Sequence, residues 1–228
     1  MHKIQNPVKL MGMIENLMAA LFANKLVPMA KKEKGSVGEG IKYLVVAGII
    51  VLIISMLRIL IQGLLAGSVA MGALLDVMFF VMGIISLVIT LVITYIVVWL
   101  FHWIATSLLK GKADFGQVFF CVAVLWSAVQ ILTNIVNFVL GFIPVVGGLL
   151  SMLFGLAVML YSLYLLYLLL KALYGFDNGG GIIALIVLII VSAVVYAVFA
   201  MVIMGLILGM VGLGALGGAG AMGFTPVV

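Results

Sequence analysis

Six polar side chains stand inside or beside long apolar stretches of the chain, where hydrocarbon cannot hydrate them. They are Arg58 and Gln62 in the first stretch, Asp76 at the start of the second, and Gln130, Asn134 and Asn137 in the third. An ionisable group inside a membrane is costly, and such groups mark ligand and ion sites. Counting along helices predicts that the six side chains converge at one depth, in the outer half of the membrane.

Two interpretations of this polar cluster stay open. In the first, the residues form an outward-facing pocket in which Arg58 binds a lipid phosphate or a small anion. In the second, Arg58 extends outward to Asp76 or to lipid headgroups, as long basic side chains do near helix ends. The amides then bond between neighbouring helices.

Aromatic and basic residues form a second group, near the opposite face of the membrane. Its members are Trp99, His102, Trp103, Lys110, Lys112, Tyr167, Lys171 and Tyr174. Amphipathic rings at that depth are typical of the aromatic belt of membrane proteins. The lysines can also attract anionic lipid headgroups. We therefore predict a contact surface here for lipid or for a membrane-protein partner.

The residue patterns that enzymes need are missing from the sequence. His2 and His102 are the only histidines, so no helix carries a pair of histidine ligands for a metal. The Gly-x-Ser-x-Gly motif is absent, and no two carboxylates lie together in an apolar stretch. Cys121 is the only cysteine, which excludes an intrachain disulfide. We expect neither catalysis nor a cofactor.

The composition predicts an integral membrane protein. Apolar residues make up 68% of the chain and charged residues 7%, and the mean hydropathy is +1.52. Such values lie far outside the range of soluble domains. The net charge of +5 would favour nucleic acid in a soluble protein. Here the basic residues are read by their position relative to the membrane, and a nucleic-acid partner is excluded.

Five segments are long enough to cross about 30 Å of hydrocarbon. They are Ile41 to Leu65, Leu75 to Trp103, Gln117 to Leu140, Gly147 to Leu173 and Gly181 to Val211. Backbone groups cannot stay unpaired in lipid, so these segments should be helices. The sequence predicts an all-α integral membrane protein with three regions: an N-terminal segment at 1–40, a five-helix domain at 41–211 and a Gly-rich tail at 212–228.

The lysines predict the orientation of the chain. Ten of the eleven basic residues fall in the N-terminal region, in the loop after the second span and at the end of the fourth span. The positive-inside rule makes that side cytoplasmic. The N-terminus is then cytoplasmic and the C-terminus external. Gly205 and Gly209 in the last span have the four-residue spacing of self-associating helices, so a homo-oligomer is one possible assembly.

The N-terminal segment carries an amphipathic pattern from Pro7 to Val27. Apolar residues recur at helical spacing on one side, and Pro7 and Pro28 bound the stretch. The pattern predicts an interfacial helix that lies on the membrane surface. A helix docked on the other helices is the alternative.

Three stretches resemble the Yip1 domain family of five-span membrane proteins. They are Phe101 to Gln117, with its histidine, Gly-Lys loop and Phe-Gly pair, the Ile143-Pro144 turn, and the tyrosine-rich run from Tyr161 to Tyr174. The resemblance covers roughly Pro7 to Val198 and is closest to prokaryotic members. It implies a five-helix membrane fold more than an activity.

The chain departs from the eukaryotic pattern at two places. The Asp-Leu-Tyr-Gly-Pro motif is missing around Asp76, and Phe120-Cys121 through Trp126-Ser127 replace the Gly-Tyr and Pro pattern of the third span. Eukaryotic relatives are associated with small GTPases and vesicle traffic, and that role is not carried over here. We expect a protein of the prokaryotic cell membrane.

Two classes of function follow from these observations. The first is a non-enzymatic scaffold or adaptor that organises membrane proteins or lipids. The second is a transporter of a small solute or lipid that uses the polar cluster around Arg58. The sequence identifies neither a partner nor a substrate.

Overall fold

The computed structural model describes the backbone of residues 7–32, 35–65, 69–143 and 146–221, and the side chains of residues 12–31, 35–64, 80–143 and 146–204. Within these ranges the chain is helical and has no strand. The helices are α1 (Pro7–Ala20), α2 (Ala23–Lys32), α3 (Val37–Leu65), α4 (Val69–Ser107), α5 (Phe115–Leu140), α6 (Val146–Tyr174) and α7 (Asn178–Ala221).

Within the part of the chain that the structure describes, five helices, α3 to α7, are long and apolar enough to cross a membrane. The prediction of an all-α membrane protein with five spans is confirmed. All five helices extend beyond the predicted spans, and the extensions of α4 and α7 are the longest. Because α4 begins at Val69, Asp76 lies within this helix and not at its start. Helix α7 continues to Ala221, past the predicted end of the fifth span at Val211.

Successive spans run in opposite directions and give the bundle two ends. The inner end carries the start of α3, the α4–α5 loop (108–114) and the α6–α7 loop (175–177). The outer end carries the α3–α4 and α5–α6 connections. The predicted cytoplasmic lysines in the described part of the chain, among them Lys110, Lys112 and Lys171, belong to the inner end.

Side chains fix the helix starts at the inner end. Asp114 is the N-cap of α5, and its Oδ2 accepts a hydrogen bond from the backbone N–H of Gln117 at 3.1 Å. Asp177 accepts in the same way from the N–H of Gly180 at 2.7 Å, at the start of α7. Ser36, just before α3, and Glu39, in its first turn, bond reciprocally as in a capping box. These bonds satisfy backbone donors that the helices leave free.

Helix α5 forms the centre of the bundle. It packs against α1, α3, α4 and α6, and it is the most buried of the five spans. It also has the lowest hydropathy of the five. Its buried residues lie between Val118 and Ala128 and are apolar except for Ser127, whereas the amides Gln130, Asn134 and Asn137 are half-buried.

The N-terminal region contains two helices where the sequence predicted one. The chain breaks at Leu21 and Phe22, and Pro28 lies inside α2 and does not end the helix. The hairpin of α1 and α2 buries Leu26, Ala30 and its other inward residues against α5 and α6. It therefore docks on the bundle, as the alternative interpretation of this segment described.

Three hydrogen bonds hold the hairpin in place. Nε2 of Gln117 donates to the carbonyl of Ala30 at 2.7 Å, and Nδ2 of Asn16 donates to the Tyr43 hydroxyl at 3.0 Å. The Tyr161 hydroxyl donates to the carbonyl of Leu21 at 2.9 Å, at the tip of the hairpin. Tyr161 lies about 20 Å along α6 from its inner end, at a rise of about 1.5 Å per residue. The hairpin thus runs alongside α6 for that distance.

The outer face of the hairpin is also apolar. Ile14 and Met18 are exposed four residues apart on α1, and Phe22, at the break that follows, is exposed as well. Residues at this spacing share one face of a helix. An exposed apolar stripe of this kind fits contact with lipid, so the interfacial placement of α1 stays a prediction alongside the docking.

Candidate functional site

The packing of α3 on α5 puts Arg58 at the end of the α5 face that carries the predicted amides. Gln130, Asn134, Asn137 and Gly141 follow one another at intervals of three or four residues and share one face of α5. The Arg58 guanidinium lies at the end of that face: a Cβ atom built on Gly141 would be 2.9 Å from its Nη2 atom. We call this arrangement the α3–α5 seam.

Gly141 is what lets the guanidinium lie against α5. Its backbone N–H donates to the carbonyl of Asn137 at 3.0 Å and closes the last turn. The C-terminus of a helix carries a partial negative charge from its free carbonyls. The cation of Arg58 therefore has an electrostatic partner in the end of α5.

The amides of the seam do not bond across helices in the described part of the chain. Nδ2 of Asn134 donates to the carbonyl of Gln130 at 2.9 Å, within α5 itself. Oδ1 of Asn137 is buried and has no hydrogen-bond partner there. Gln62 is exposed on α3. The backbone of Asp76 is in α4, but its side chain lies outside the described residues, so its predicted contact with Arg58 stays a prediction.

A groove of about 380 Å³ opens between α3 and α4, with Gln130 of α5 in its lining. Its other polar members are Ser55, Ser86 and Thr90. We call it the α3–α4 groove. Sequence reasoning did not single out these hydroxyls. The sequence feature that could have revealed them is the four-residue spacing of Ser86 and Thr90, which puts both hydroxyls on one face of α4.

A second cavity, of about 270 Å³, lies among α4, α5, α6 and α7. Its lining is mostly apolar. The Ser192 hydroxyl donates to the carbonyl of Leu188 at 2.7 Å, and the Ser162 hydroxyl donates to the carbonyl of Val158. These two serines are satisfied by their own helices, which makes the second cavity a more hydrophobic space.

Aromatic rings fill the inner end of the bundle around Tyr174. Nδ1 of His102 and the Tyr174 hydroxyl are 2.9 Å apart and share a hydrogen bond. Phe101 meets the Tyr174 ring edge-on, with centroids 5.8 Å apart, and Phe176 stacks on it at 5.3 Å. Phe115 lies 5.4 Å from the His102 ring. These residues pack α4, α5 and α6 together.

Six of the eight residues of the predicted inner contact surface fall into two sets. His102 and Tyr174 point inward and belong to the packing of the bundle. Trp99 and Trp103 are 50% and 60% exposed, and Lys110 and Lys112 are exposed in the loop that follows. We call these four residues the inner rim.

Tyr167 and Lys171 belong to neither set. Nζ of Lys171 and the Tyr167 hydroxyl both donate to Oδ1 of Asn178, the latter at 3.4 Å. These bonds tie the last turns of α6 to the first residue of α7. Both side chains are therefore engaged within the protein.

The described side chains offer no evident centre for catalysis. Among them, no three His, Cys, Asp or Glu residues lie close enough to hold a metal ion. Cys121 is buried beneath the N-terminal hairpin. What the arrangement provides is a polar seam, a groove with hydroxyls and an exposed aromatic and basic rim.

The fold and these surfaces define an all-α integral membrane protein with five spans. The family model of the Yip1 domain matches residues 31–200. The chain belongs to the Yip1 domain family, which is a family of membrane proteins not known as enzymes. No curated protein and no solved structure gives a significant match to the chain.

Proposed function

We propose that the protein is a scaffold or adaptor that organises membrane proteins, with anionic lipid as a second contact. The observation that supports this most is the inner rim. Trp99, Trp103, Lys110 and Lys112 are exposed, while the residues behind them are tied together by the His102–Tyr174 hydrogen bond. Exposed tryptophans on a rigid support are the side chains that most often dominate protein interfaces.

The lysines of the rim add charge to this surface. Lys110 and Lys112 lie in the α4–α5 loop, beyond the end of α4. Lysines near an anionic membrane surface contribute about 1 kcal/mol each to attraction. We propose a location in a prokaryotic cell membrane with the inner end cytoplasmic and the C-terminus external, which puts the rim on the side where anionic lipid and cytoplasmic partners meet.

The test is affinity isolation of the full chain from its own membrane, followed by native mass spectrometry of the proteins and lipids that come with it. Two variants alter the rim, Trp99→Ala with Trp103→Ala, and Lys110→Gln with Lys112→Gln. Trp126→Ala is the matched control, because Trp126 is 42% exposed but lies in the middle of α5. We expect a stoichiometric partner with the wild type and the control, and its loss from the rim variants.

A partner that stays bound to both rim variants would contradict the proposal. If the chain or its homo-oligomer is instead isolated without a protein partner but with a particular lipid or small anion, the result would favour a second candidate function, transport.

The second candidate is a transporter, and the α3–α5 seam is the observation that favours it. Arg58 and Asn137 bring a cation and a buried, unpaired carbonyl oxygen to the same end of α5. Unpaired polar groups in a membrane are rare because they are costly. Arg58→Leu should abolish flux and leave assembly intact if this candidate holds. The scaffold is supported instead if the wild type shows no flux and if Arg58→Leu binds the same partner as the wild type.

A further inference from the structure

The α3–α4 groove is a route of close to membrane length along one side of the bundle. Its lining on α3 extends from Leu44 to Ile59. At a rise of 1.5 Å per residue, these positions are about 22 Å apart along the helix. The hydrocarbon core of a bilayer is about 30 Å thick. The groove therefore spans most of that thickness.

Two glycines keep α3 and α4 close at the bottom of the groove. A Cβ atom on Gly48 would be 1.9 Å from Cδ1 of Leu87, and one on Gly83 would be 2.2 Å from Cδ1 of Leu52. These two contacts show that the helices run antiparallel. They also fix the depth of each lining residue relative to the others.

The polar groups of the groove are distributed along its length. Thr90 lies one turn beyond Leu87 towards the inner end, and Ser86 lies just outward of Leu87. Ser55 lies one turn outward of Leu52, in the outer half of α3. Gln130 adds an amide from the middle of α5. A polar group is thus present at several levels and not at a single site.

In the described part of the chain, the side chains of these four residues make no hydrogen bond. This differs from Ser162 and Ser192, whose hydroxyls bond to their own helices. A polar group in hydrocarbon without a partner costs free energy that a bonded one does not. The groove therefore favours an occupant, or a passing molecule, that carries hydrogen-bonding groups.

We propose that the α3–α4 groove lets phospholipid headgroups cross the membrane, with their acyl chains remaining in the surrounding lipid. The hydroxyls and the Gln130 amide would bond to phosphate and ester oxygens at successive depths. A passing headgroup would then exchange one set of partners for the next. This inference rests on the transport candidate, for which it names a route and a class of substrate.

The size and the ends of the groove favour a lipid over a second protein. A volume of about 380 Å³ is in the range of small-molecule sites, whereas a helix with its side chains is 10–12 Å across. Arg58 lies one turn beyond Ser55 on α3, beside the groove and outside its lining, with its guanidinium at the outer end of α5. A cation there matches the charge of a phosphate that enters or leaves.

The experiment uses the full chain in vesicles of phosphatidylcholine with a minor share of phosphatidylglycerol. A trace phospholipid carries a fluorophore on an acyl chain, and dithionite added outside bleaches only the fluorophores that reach the outer leaflet. A water-soluble fluorophore trapped inside must resist bleaching, which excludes leakage. We expect the wild type to expose the inner-leaflet tracer faster than vesicles without protein.

The groove is tested by a triple variant, Ser55→Leu, Ser86→Leu and Thr90→Val, and by Gln130→Leu alone. The matched control is Thr94→Val. Thr94 has the same chemistry as Thr90 and lies one turn away on α4, but it lines the second cavity. Removing three hydrogen-bonding groups should slow lipid crossing about tenfold or more. The control should keep the wild-type rate.

Two results would overturn the proposal. The first is a wild-type rate no faster than that of vesicles without protein. This result would not affect the scaffold proposal, which is tested separately by isolation of a bound partner. The second is equal rates in the triple variant and in Thr94→Val. If Arg58→Leu then stops crossing, the seam carries the transport and the groove does not. Circular dichroism and gel filtration of each variant show that a slow rate does not come from unfolding.

Discussion

Gly111 has no side chain, and this allows aromatic rings to pack closely against the backbone at the inner end of the bundle. It ends the turn after α4, where Lys110 has a positive φ of 55° and the N–H of Gly111 donates to the carbonyl of Ala105 at 3.0 Å. The ring of Tyr174 packs directly against it. A Cβ atom on Gly111 would be 2.4 Å from Cδ1 of Tyr174 and 3.0 Å from Cζ of Phe176.

We therefore expect Gly111→Ala to destabilise the protein by about 1–3 kcal/mol, since added volume in a packed site forces neighbours to move. Thermal unfolding in detergent measures the effect as a lower midpoint. Gly155→Ala in α6 is the control, because no heavy atom lies within 4 Å of its Cβ position, and alanine favours a helix over glycine. Equal midpoints for the two variants would contradict the packing argument.

Arg58 acts at the same scale. Its guanidinium at the end of α5 is an interaction of a cation with a helix C-terminus, which contributes about 0.3–1 kcal/mol at an exposed site and up to about 2 kcal/mol in a partly buried one. This contact gives Arg58 a structural role whichever function holds. Activity measurements on Arg58→Leu therefore need a stability measurement beside them.

At the scale of elements, the N-terminal hairpin is attached to the bundle by one face only. Leu26 and Ala30 are fully buried against α5 and α6, and Cys121 lies beneath them. Cys121 is the only cysteine of the chain. Its reaction with a thiol reagent therefore reports whether the hairpin is docked.

We expect Leu26→Asp to raise the alkylation rate of Cys121 by a maleimide at least about tenfold, since a carboxylate buried without a partner opens the local structure. Ile14→Asp is the control. Ile14 is 56% exposed on the opposite face of the same hairpin, so its replacement leaves the docked face unchanged. A rate for Leu26→Asp equal to that of the control would show that the hairpin is not what shields Cys121.

Helix α5 illustrates how an element finds its place in lipid. The four other spans have a higher hydropathy than α5, although α3 carries Arg58 and Gln62. Helix α5 is buried through apolar residues between Val118 and Ala128, and its amides Gln130, Asn134 and Asn137 are half-buried, which removes part of the cost of placing them in lipid. The hydropathy of α5 is the lowest of the five spans, so this central position has a signal in the sequence itself.

At the scale of the whole molecule, sidedness is the property on which both proposed functions depend. Lys112 lies in the α4–α5 loop and Phe142 in the α5–α6 connection, so they mark opposite ends of the bundle. Both side chains are exposed. In intact cells, the membrane should therefore be the only barrier that makes one of the two positions less accessible than the other to a reagent added outside.

We predict that Phe142→Cys, but not Lys112→Cys, reacts with a membrane-impermeant thiol reagent on intact cells, each in a Cys121→Ala background. The positive-inside rule gives this orientation. After lysis both cysteines should react, which controls for local shielding. The reverse pattern on intact cells would invert the topology and move the inner rim to the external face.

The sequence alone determined the number of spans, the all-α class and the family resemblance. Length and hydropathy decide these because each span must satisfy its own backbone in lipid. The sequence also put Gln130, Asn134 and Asn137 on one face of α5, since helical periodicity is a local property. It placed Arg58 at a matching depth by counting residues along α3.

Only the tertiary structure decided which faces meet. His102 and Tyr174 are 72 residues apart, and the sequence grouped them with Trp99 and Trp103, which point the other way. Spans that are apolar all round carry no stripe that marks an inner face. Their partners are chosen by close packing, as between Gly48 and Leu87. The groove, the docked hairpin and the division of the rim arise from that packing.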